Sequence, residues 1–231
     1  MTDHTLRAFD TDIDTMRSAI TAMGGLVERQ LGRAVDAVRY GDLRLVMQVL
    51  EDERLVNQMH MESDLRCNQI IAKRQPIAID LREIIGVIHG INDLERIGDE
   101  AKKIALKAQQ FEGRNLPIPV EPVLRMAGLA AEMLREAIDA FLRQDTSVAA
   151  KLDARDDAVD TLRDELVSQL MAKMSEDPKS VSDSLTMVFI VQSLERIGDH
   201  AKNLAEYVVN VVHGIDARHS SLGKAGTGAI A

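Results

Sequence analysis

The residues best suited to chemistry in this chain are acidic side chains that recur four residues apart. The phrase LERIGDEAKKIA at residues 94–105 returns as LERIGDHAKNLA at residues 194–205, with nine of twelve positions identical. Each copy carries an acidic pair at the same two places: Glu95 with Asp99, and Glu195 with Asp199. In a helix this spacing puts both side chains on one face, where they can share a cation. The repeat predicts two copies of one structural unit, with the same chemistry in each.

A second four-spaced pair precedes the repeated phrase in each half, and the two halves align on Val56 and Val159. On a helical wheel both pairs of one half lie at the rim of the apolar core, so they can face each other across the groove between neighbouring helices. Oxygen ligands of this kind suit Mg, Mn, Ca or Fe better than tetrahedral zinc, and a cation relieves the repulsion between like charges. We therefore predict divalent or trivalent metal ions at two sets of residues: Glu53, Asn57, Glu95 and Asp99 in the first half, and Asp156, Asp160, Glu195 and Asp199 in the second.

Six long helices are expected to position these pairs. Only 3% of the residues are aromatic, and Ala, Leu, Glu and Arg are frequent, a composition that favours helices and predicts no sheet. Apolar periodicity, prolines and glycines predict helices over residues 6–40, 43–74, about 76–111, 123–143, 146–173 and about 178–212. The predicted fold is all-α, with two tandem three-helix antiparallel bundles at residues 5–111 and 123–212, a proline-rich linker at 112–122 and a disordered tail at 213–231.

Charge and composition narrow the classes of function. The net charge of −9 disfavours nonspecific binding to nucleic acid or to an anionic membrane surface. The longest apolar runs are far shorter than the roughly 20 residues that a membrane span needs. A single cysteine, Cys67, excludes an internal disulfide framework and suits a reducing compartment, so we expect a cytoplasmic protein.

The motifs together resemble the PhoU family over residues 5 to about 212. The resemblance rests on the repeated LERIGD phrase, IIAKRQP at residues 70–76, EDP at residues 176–178, the opening FDTDIDTMRSAITAMGGLVE and the order of the helices. It implies a homodimeric adaptor that links the phosphate ABC transporter ATPase to a sensor histidine kinase and represses phosphate-starvation genes when phosphate is plentiful. The family's E(D)xxxD metal motif maps onto the eight residues above with one departure. Asn57 brings an oxygen but no charge, so the site in the first half is expected to be the weaker one.

Competing classes of function fit the sequence less well. A di-iron oxidase or storage bundle also uses carboxylates on helices, but no Glu of this chain has a His three residues later. A transcription factor would need a basic recognition helix. Catalysis lacks a phosphate loop, a nucleophile elbow or a Cys–His pair, so we do not expect an enzyme. His60, His89 and His200 are expected at surface or partly buried positions rather than as metal ligands. Gly98 and Gly198, in helix interiors, indicate close helix approach or ligand access.

Overall fold

The structure, a computed structural model, describes residues 2–215, with side chains from residue 9 onward. The predicted all-α fold of two tandem three-helix bundles is confirmed, and the described residues contain no strand. The six α-helices are α1 (Thr2–Tyr40), α2 (Leu43–Arg74), α3 (Ala78–Ala108), α4 (Glu121–Arg143), α5 (Val148–Glu176) and α6 (Val181–His213). None of these described helices is long and apolar enough to cross a membrane.

The turn between α1 and α2 forms where the sequence predicts it. Gly41 adopts a left-handed conformation with φ of 63°, which a residue without a Cβ tolerates, and its N–H donates to the Ala37 carbonyl oxygen over 2.9 Å. The next residue, Asp42, caps α2 by accepting a hydrogen bond from the Arg44 backbone N–H over 2.9 Å. A helix stop and a helix start therefore share two adjacent residues.

The predicted start of the third helix near Pro76 is wrong by two residues. Gln75 ends α2 in a left-handed conformation with φ of 49°, and its N–H donates to the Ile71 carbonyl oxygen over 3.0 Å. Ile77 is extended, so Pro76 lies in the connection and α3 begins at Ala78.

Other bounds differ by a few residues. α4 begins at Glu121 with Pro122 in its first turn, two residues before the predicted start. Gln109–Phe111 and Pro178–Ser180 are 3-10 turns that continue α3 and precede α6. The predicted tail began at His213, but that residue is the last of α6, and residues 216–231 lie outside the described part of the chain.

The two bundles meet where α3 packs along α6. α1 and α2 pack on α3 to form the first bundle, and α4 and α5 pack on α6 to form the second. The close approach of α3 to α6 depends on glycines: a Cβ at Gly86 would lie 2.5 Å from Val211 Cγ2, and a Cβ at Gly90 would lie 2.9 Å from Leu204 Cδ1. Side chains larger than hydrogen at these positions would push the helices apart.

Polar contacts across this interface keep the twofold relation of the repeat. His200 Nδ1 lies 2.7 Å from Asp93 Oδ1. The equivalent positions of the repeat, one hundred residues away, form the second contact: Glu100, which corresponds to His200, is hydrogen-bonded to Ser193, which corresponds to Asp93. His60, His89 and His200 are partly buried, one of the two kinds of position that the sequence predicts for them. The duplication therefore survives in the geometry of the interface although the residue types have diverged.

A pair of glycine substitutions tests this packing. Gly86→Val is expected to lower the free energy of unfolding by about 1–3 kcal/mol, because the added atoms overlap Val211 on the facing helix. Gly32→Ala is the matched control, since nothing lies within 4 Å of a Cβ there, and it should raise stability by about 0.5–1 kcal/mol. Urea denaturation measures both. A Gly86→Val protein as stable as the parent would show that the helices are not held this closely.

Candidate functional site

The first carboxylate cluster, formed by Glu53, Asn57, Glu95 and Asp99, lies between α2 and α3. Glu53 is only 4% exposed and accepts hydrogen bonds from three groups. These donors are Gln30 Nε2 at 2.9 Å, Asn57 Nδ2 at 3.2 Å and Lys102 Nζ at 3.2 Å. The buried charge of Glu53 is therefore compensated within the protein.

Lys102 connects the α2 side of the first cluster with its α3 side. Its Nζ donates to Asp99 Oδ1 over 2.9 Å as well as to Glu53, so one ammonium group bridges α2 and α3. Partial burial raises the pKa of Asp99, but the hydrogen bond from Lys102 and the charges of Lys102 and Lys103 outweigh that effect, and the pKa is lowered overall. Glu95 is paired with Arg96 over 3.7 Å, one helical turn before Asp99.

The second carboxylate cluster, formed by Asp156, Asp160, Glu195 and Asp199, occupies the same place between α5 and α6. Lys202 Nζ lies 3.0 Å from Asp156 Oδ2 and also pairs with Asp153 over 2.7 Å. Arg163 Nη1 bridges the helices, at 3.0 Å from Asp160 Oδ1 and 2.7 Å from Glu195 Oε1. Three of the four carboxylates thus have a cationic partner.

Asp199 is the carboxylate that the second cluster leaves uncompensated. It forms no ion pair with any described residue. Desolvation, followed by the charges of Glu195, Asp156 and Asp160, raises the pKa of Asp199 to about 6. The equivalent residues of the two repeats, Asp99 and Asp199, therefore have pKa values shifted in opposite directions.

The side chain that faces the repeated glycine also differs between the clusters. A Cβ at Gly98 would lie 3.0 Å from Gln30 Oε1, whereas a Cβ at Gly198 would lie 3.7 Å from the Met133 side chain. Gln30 is fully buried and donates to Glu53 and to the Gly98 carbonyl oxygen. The Gln30 amide thus donates a hydrogen bond to the first cluster, whereas the Met133 thioether lies at the equivalent place beside the second cluster.

The donor chemistry of both clusters fits a hard cation, and the second cluster fits it better. Carboxylate and amide oxygens are ligands that Mg²⁺, Mn²⁺ and Ca²⁺ prefer, and Asp199 retains repulsion that a cation would relieve. As the side chains stand, however, no group of three or more Asp, Glu, His or Cys in the described residues is arranged to hold a metal ion. Lys102 in the first cluster, and Lys202 and Arg163 in the second, lie among the oxygens.

The sequence located the carboxylates but not their cationic partners. The structure brings Glu53, Asn57 and Asp99 together on facing helices, whereas the predicted Glu95 pairs with Arg96 instead. It likewise brings together the four residues of the second cluster. Lys102 and Lys202 could have been found, because both belong to the repeated phrase and follow its Asp by three residues. Gln30 had no signal of this kind, since it contacts Glu53 only through the packing of α1.

Opposite pKa shifts predict opposite effects of neutralising the two equivalent aspartates. The pKa of Asp99 is lowered, so its ionisation stabilises the fold above the unfolded pKa of about 3.8 and this contribution is lost on acidification. The pKa of Asp199 is raised, so its ionisation costs stability as pH rises from about 3.8 through about 6. At pH 7.5, Asp99→Asn should lower the melting temperature and Asp199→Asn should raise it. The gain in the free energy of unfolding from Asp199→Asn should be no more than about 1 kcal/mol, because part of the residue remains in contact with water that screens its charge.

Thermal melts of both variants in metal-free buffer at pH 7.5 and at pH 3.5 measure this difference. At the lower pH the gain from Asp199→Asn should largely disappear, since the carboxyl group is then protonated in the folded state and mostly protonated in the unfolded state. Two variants that shift the melting temperature in the same direction at pH 7.5 would contradict the opposed electrostatics of the clusters.

Comparison with known proteins places this geometry in a family. The PhoU domain matches the chain twice, over residues 20–108 and 123–208, with one carboxylate cluster in each match. A PhoU homolog of Pseudomonas aeruginosa, named as a phosphate-specific transport system accessory protein, is 41% identical over 224 residues, which cover 96% of this chain and 92% of that protein. The accessory protein PhoU of Escherichia coli K12 is 37% identical, covering 94% of this chain and 90% of the relative.

Solved structures agree in fold. The crystal structure of PhoU from Pseudomonas aeruginosa superposes with a TM-score of 0.86 over 90% of this chain and all of the other, at 41% identity. PhoU from Streptococcus pneumoniae, at 24% identity and a TM-score of 0.84 over 90% of this chain and 99% of that one, shares the fold. The relatives are named as accessory or regulatory proteins and not as enzymes. The chain belongs to the PhoU family.

Proposed function

We propose that this PhoU-family accessory protein of phosphate transport is a cytoplasmic, homodimeric, metal-binding adaptor. It connects the phosphate ABC transporter ATPase with a sensor histidine kinase and represses phosphate-starvation genes while phosphate is plentiful. The names of the relatives support the transport role. The observation that supports metal binding is the second carboxylate cluster, in which four acidic side chains meet and Asp199 has a pKa of about 6 without an ion-pair partner among the described residues.

A bound metal ion would supply the positive charge that this cluster lacks. The residues that would hold it are Asp156, Asp160, Glu195 and Asp199. To free their oxygens, Arg163 would swing away from Asp160 and Glu195, and Lys202 would keep Asp153 as its partner. Because Arg163 bridges α5 and α6, its release would move a positive charge out of its ion pairs and so change the distribution of charge along the groove between these helices.

Such a change can carry a signal only if partners distinguish the two states. A partner shifts the equilibrium by its differential affinity for the arrangements with and without metal, and the metal affinity shifts by the same factor. In this proposal the transporter ATPase or the kinase prefers one state of the second cluster. The first cluster is the weaker metal site, since Lys102 already bridges Glu53 and Asp99 and Asn57 brings no charge.

Paired variants test the difference between the clusters. Glu195→Gln with Asp199→Asn should weaken Mn²⁺ binding more than Glu95→Gln with Asp99→Asn, because the first cluster is largely satisfied by protein groups. Isothermal titration of metal-stripped protein with MnCl₂ at pH 7.5 measures both. Equal losses of Mn²⁺ affinity in the two double variants would contradict the proposed difference between the clusters. An unmodified protein that binds no Mn²⁺, Mg²⁺ or Fe²⁺ would reject metal binding.

Proton release gives a second readout of the same site. At pH 6 about half of the Asp199 carboxyl groups carry a proton, so metal binding should release protons there and release few at pH 8. Titrations in buffers of different ionisation enthalpy count the released protons, and Asp199→Asn should abolish the pH dependence. Proton release that is unchanged in this variant would show that the metal binds elsewhere.

Deleting the gene tests the regulatory role. Loss of a repressing adaptor should switch on phosphate-starvation genes in phosphate-rich medium, measured with a phosphatase reporter. A metal-storage protein of the di-iron type would give no such response. Complementation with a protein neutralised at Asp156, Asp160, Glu195 and Asp199 should restore repression only in part. Complementation with Arg54→Gln, a change on the exposed face of α2, should restore it fully. Normal repression in the deletion strain would reject the regulatory role.

A further inference from the structure

A basic pocket lies at the opposite edge of the first bundle from the connection to the second, where the start of α1 meets the end of α2. It has a volume of about 250 Å³ and is lined by Asp12, Arg66, Gln69, Ile70, Lys73 and Arg74. Buried Ile70 forms an apolar floor, and the other side chains are polar or charged. Neither carboxylate cluster contributes to it.

The pocket is positively charged in a chain whose net charge is −9. Arg74 donates from Nε and Nη2 to Asp12 Oδ2 over 3.2 and 3.1 Å, and Arg66 Nη2 lies 3.7 Å from Asp12 Oδ1. Lys73 forms no ion pair with any described residue. The pocket is thus lined by three cationic side chains and one carboxylate, an excess of two positive charges.

Helix capping does not account for this arrangement. Cations in the last turn of a helix interact favourably with its dipole, which explains Lys73 and Arg74 but not Arg66, which lies two turns earlier. The equivalent helix of the second bundle, α5, ends at Glu176 and is followed by Asp177, with Lys173 as the basic residue of its last turn. The same fold is thus built in the second bundle with two acidic residues at the corresponding helix end.

We propose that this pocket binds a doubly charged phosphate group, either inorganic phosphate or the terminal phosphate of a small phosphorylated compound. Guanidinium groups match the oxygens of phosphate with paired hydrogen bonds, and Asp12 holds Arg66 and Arg74 side by side in advance. Lys73 and the Gln69 amide supply further donors at the rim. The two charges of the ligand balance the excess of two in the pocket. This assignment is independent of the adaptor role and of the metal sites.

Calorimetric titration of the full chain with inorganic phosphate tests the proposal. The protein is first stripped of metal ions on a chelating resin, so that no metal at the carboxylate clusters can bind phosphate. The unmodified protein should bind saturably, and Arg66→Gln combined with Lys73→Gln should weaken binding by about tenfold or more. Arg54→Gln is the matched control on the same helix, an exposed residue paired with Glu51, and should bind like the parent. Asp12→Asn, which removes the competing carboxylate, should retain or strengthen binding.

A second measurement does not depend on the variants. Phosphate should shift the Nε–H resonances of Arg66 and Arg74 in a ¹⁵N correlation spectrum while leaving that of Arg54 in place.

Repeating the calorimetric titration with ADP separates the two sources of the phosphate group. Tighter binding of ADP that is lost in the double variant assigns a phosphorylated compound, and equal or weaker binding assigns free phosphate. Absence of saturable binding of both ligands, or equal affinity in the parent and the double variant, overturns the proposal.

Discussion

The structure depends on the close packing of α3 along α6. Each of these helices serves as the central element of its own bundle and also presents its carboxylates to the neighbouring α2 or α5. The contact needs Gly86 and Gly90, because Cβ atoms there would overlap Val211 and Leu204. It also buries Asp93 against His200, so a displaced helix would leave the buried Asp93 carboxylate without this partner. The interface thus fixes the two helices that carry Glu95, Asp99, Glu195 and Asp199, on which α2 and α5 pack with the remaining residues of the clusters.

Duplication has produced two sites with the same geometry and different electrostatics. In the first, a lysine ammonium, an asparagine amide and a buried glutamine amide all donate to Glu53, which leaves little repulsion. In the second, Asp160 replaces the asparagine and Met133 replaces the glutamine. There Arg163 and Lys202 neutralise their own partners, and Asp199 retains a raised pKa. Divergence of a few side chains thus separates a cluster that is compensated by protein groups from one that retains a carboxylate without an ion-pair partner among the described residues.

Much of this could be predicted from the sequence, for identifiable reasons. Helical composition, the apolar seam of α1 and the LERIGD repeat are local or periodic signals, and they gave the helix count, the order of the helices and the positions of the carboxylates. The start of α3 was missed because Pro76 is equally acceptable in a first turn and in a connection, and the left-handed Gln75 decides between them. Gln30 and the pocket at the end of α2 were missed because they combine residues from α1 with residues from later helices. Such contacts arise from tertiary packing and have no spacing of their own.

Diffraction at the manganese absorption edge, from crystals grown with MnCl₂, tests the central claim most directly. The account predicts an anomalous peak among Asp156, Asp160, Glu195 and Asp199, with the Arg163 side chain turned away from Glu195, and a weaker peak or none beside Lys102. A peak confined to the first cluster would contradict the account, as would a second cluster that keeps the Arg163 bridge and shows no peak in fully manganese-loaded crystals.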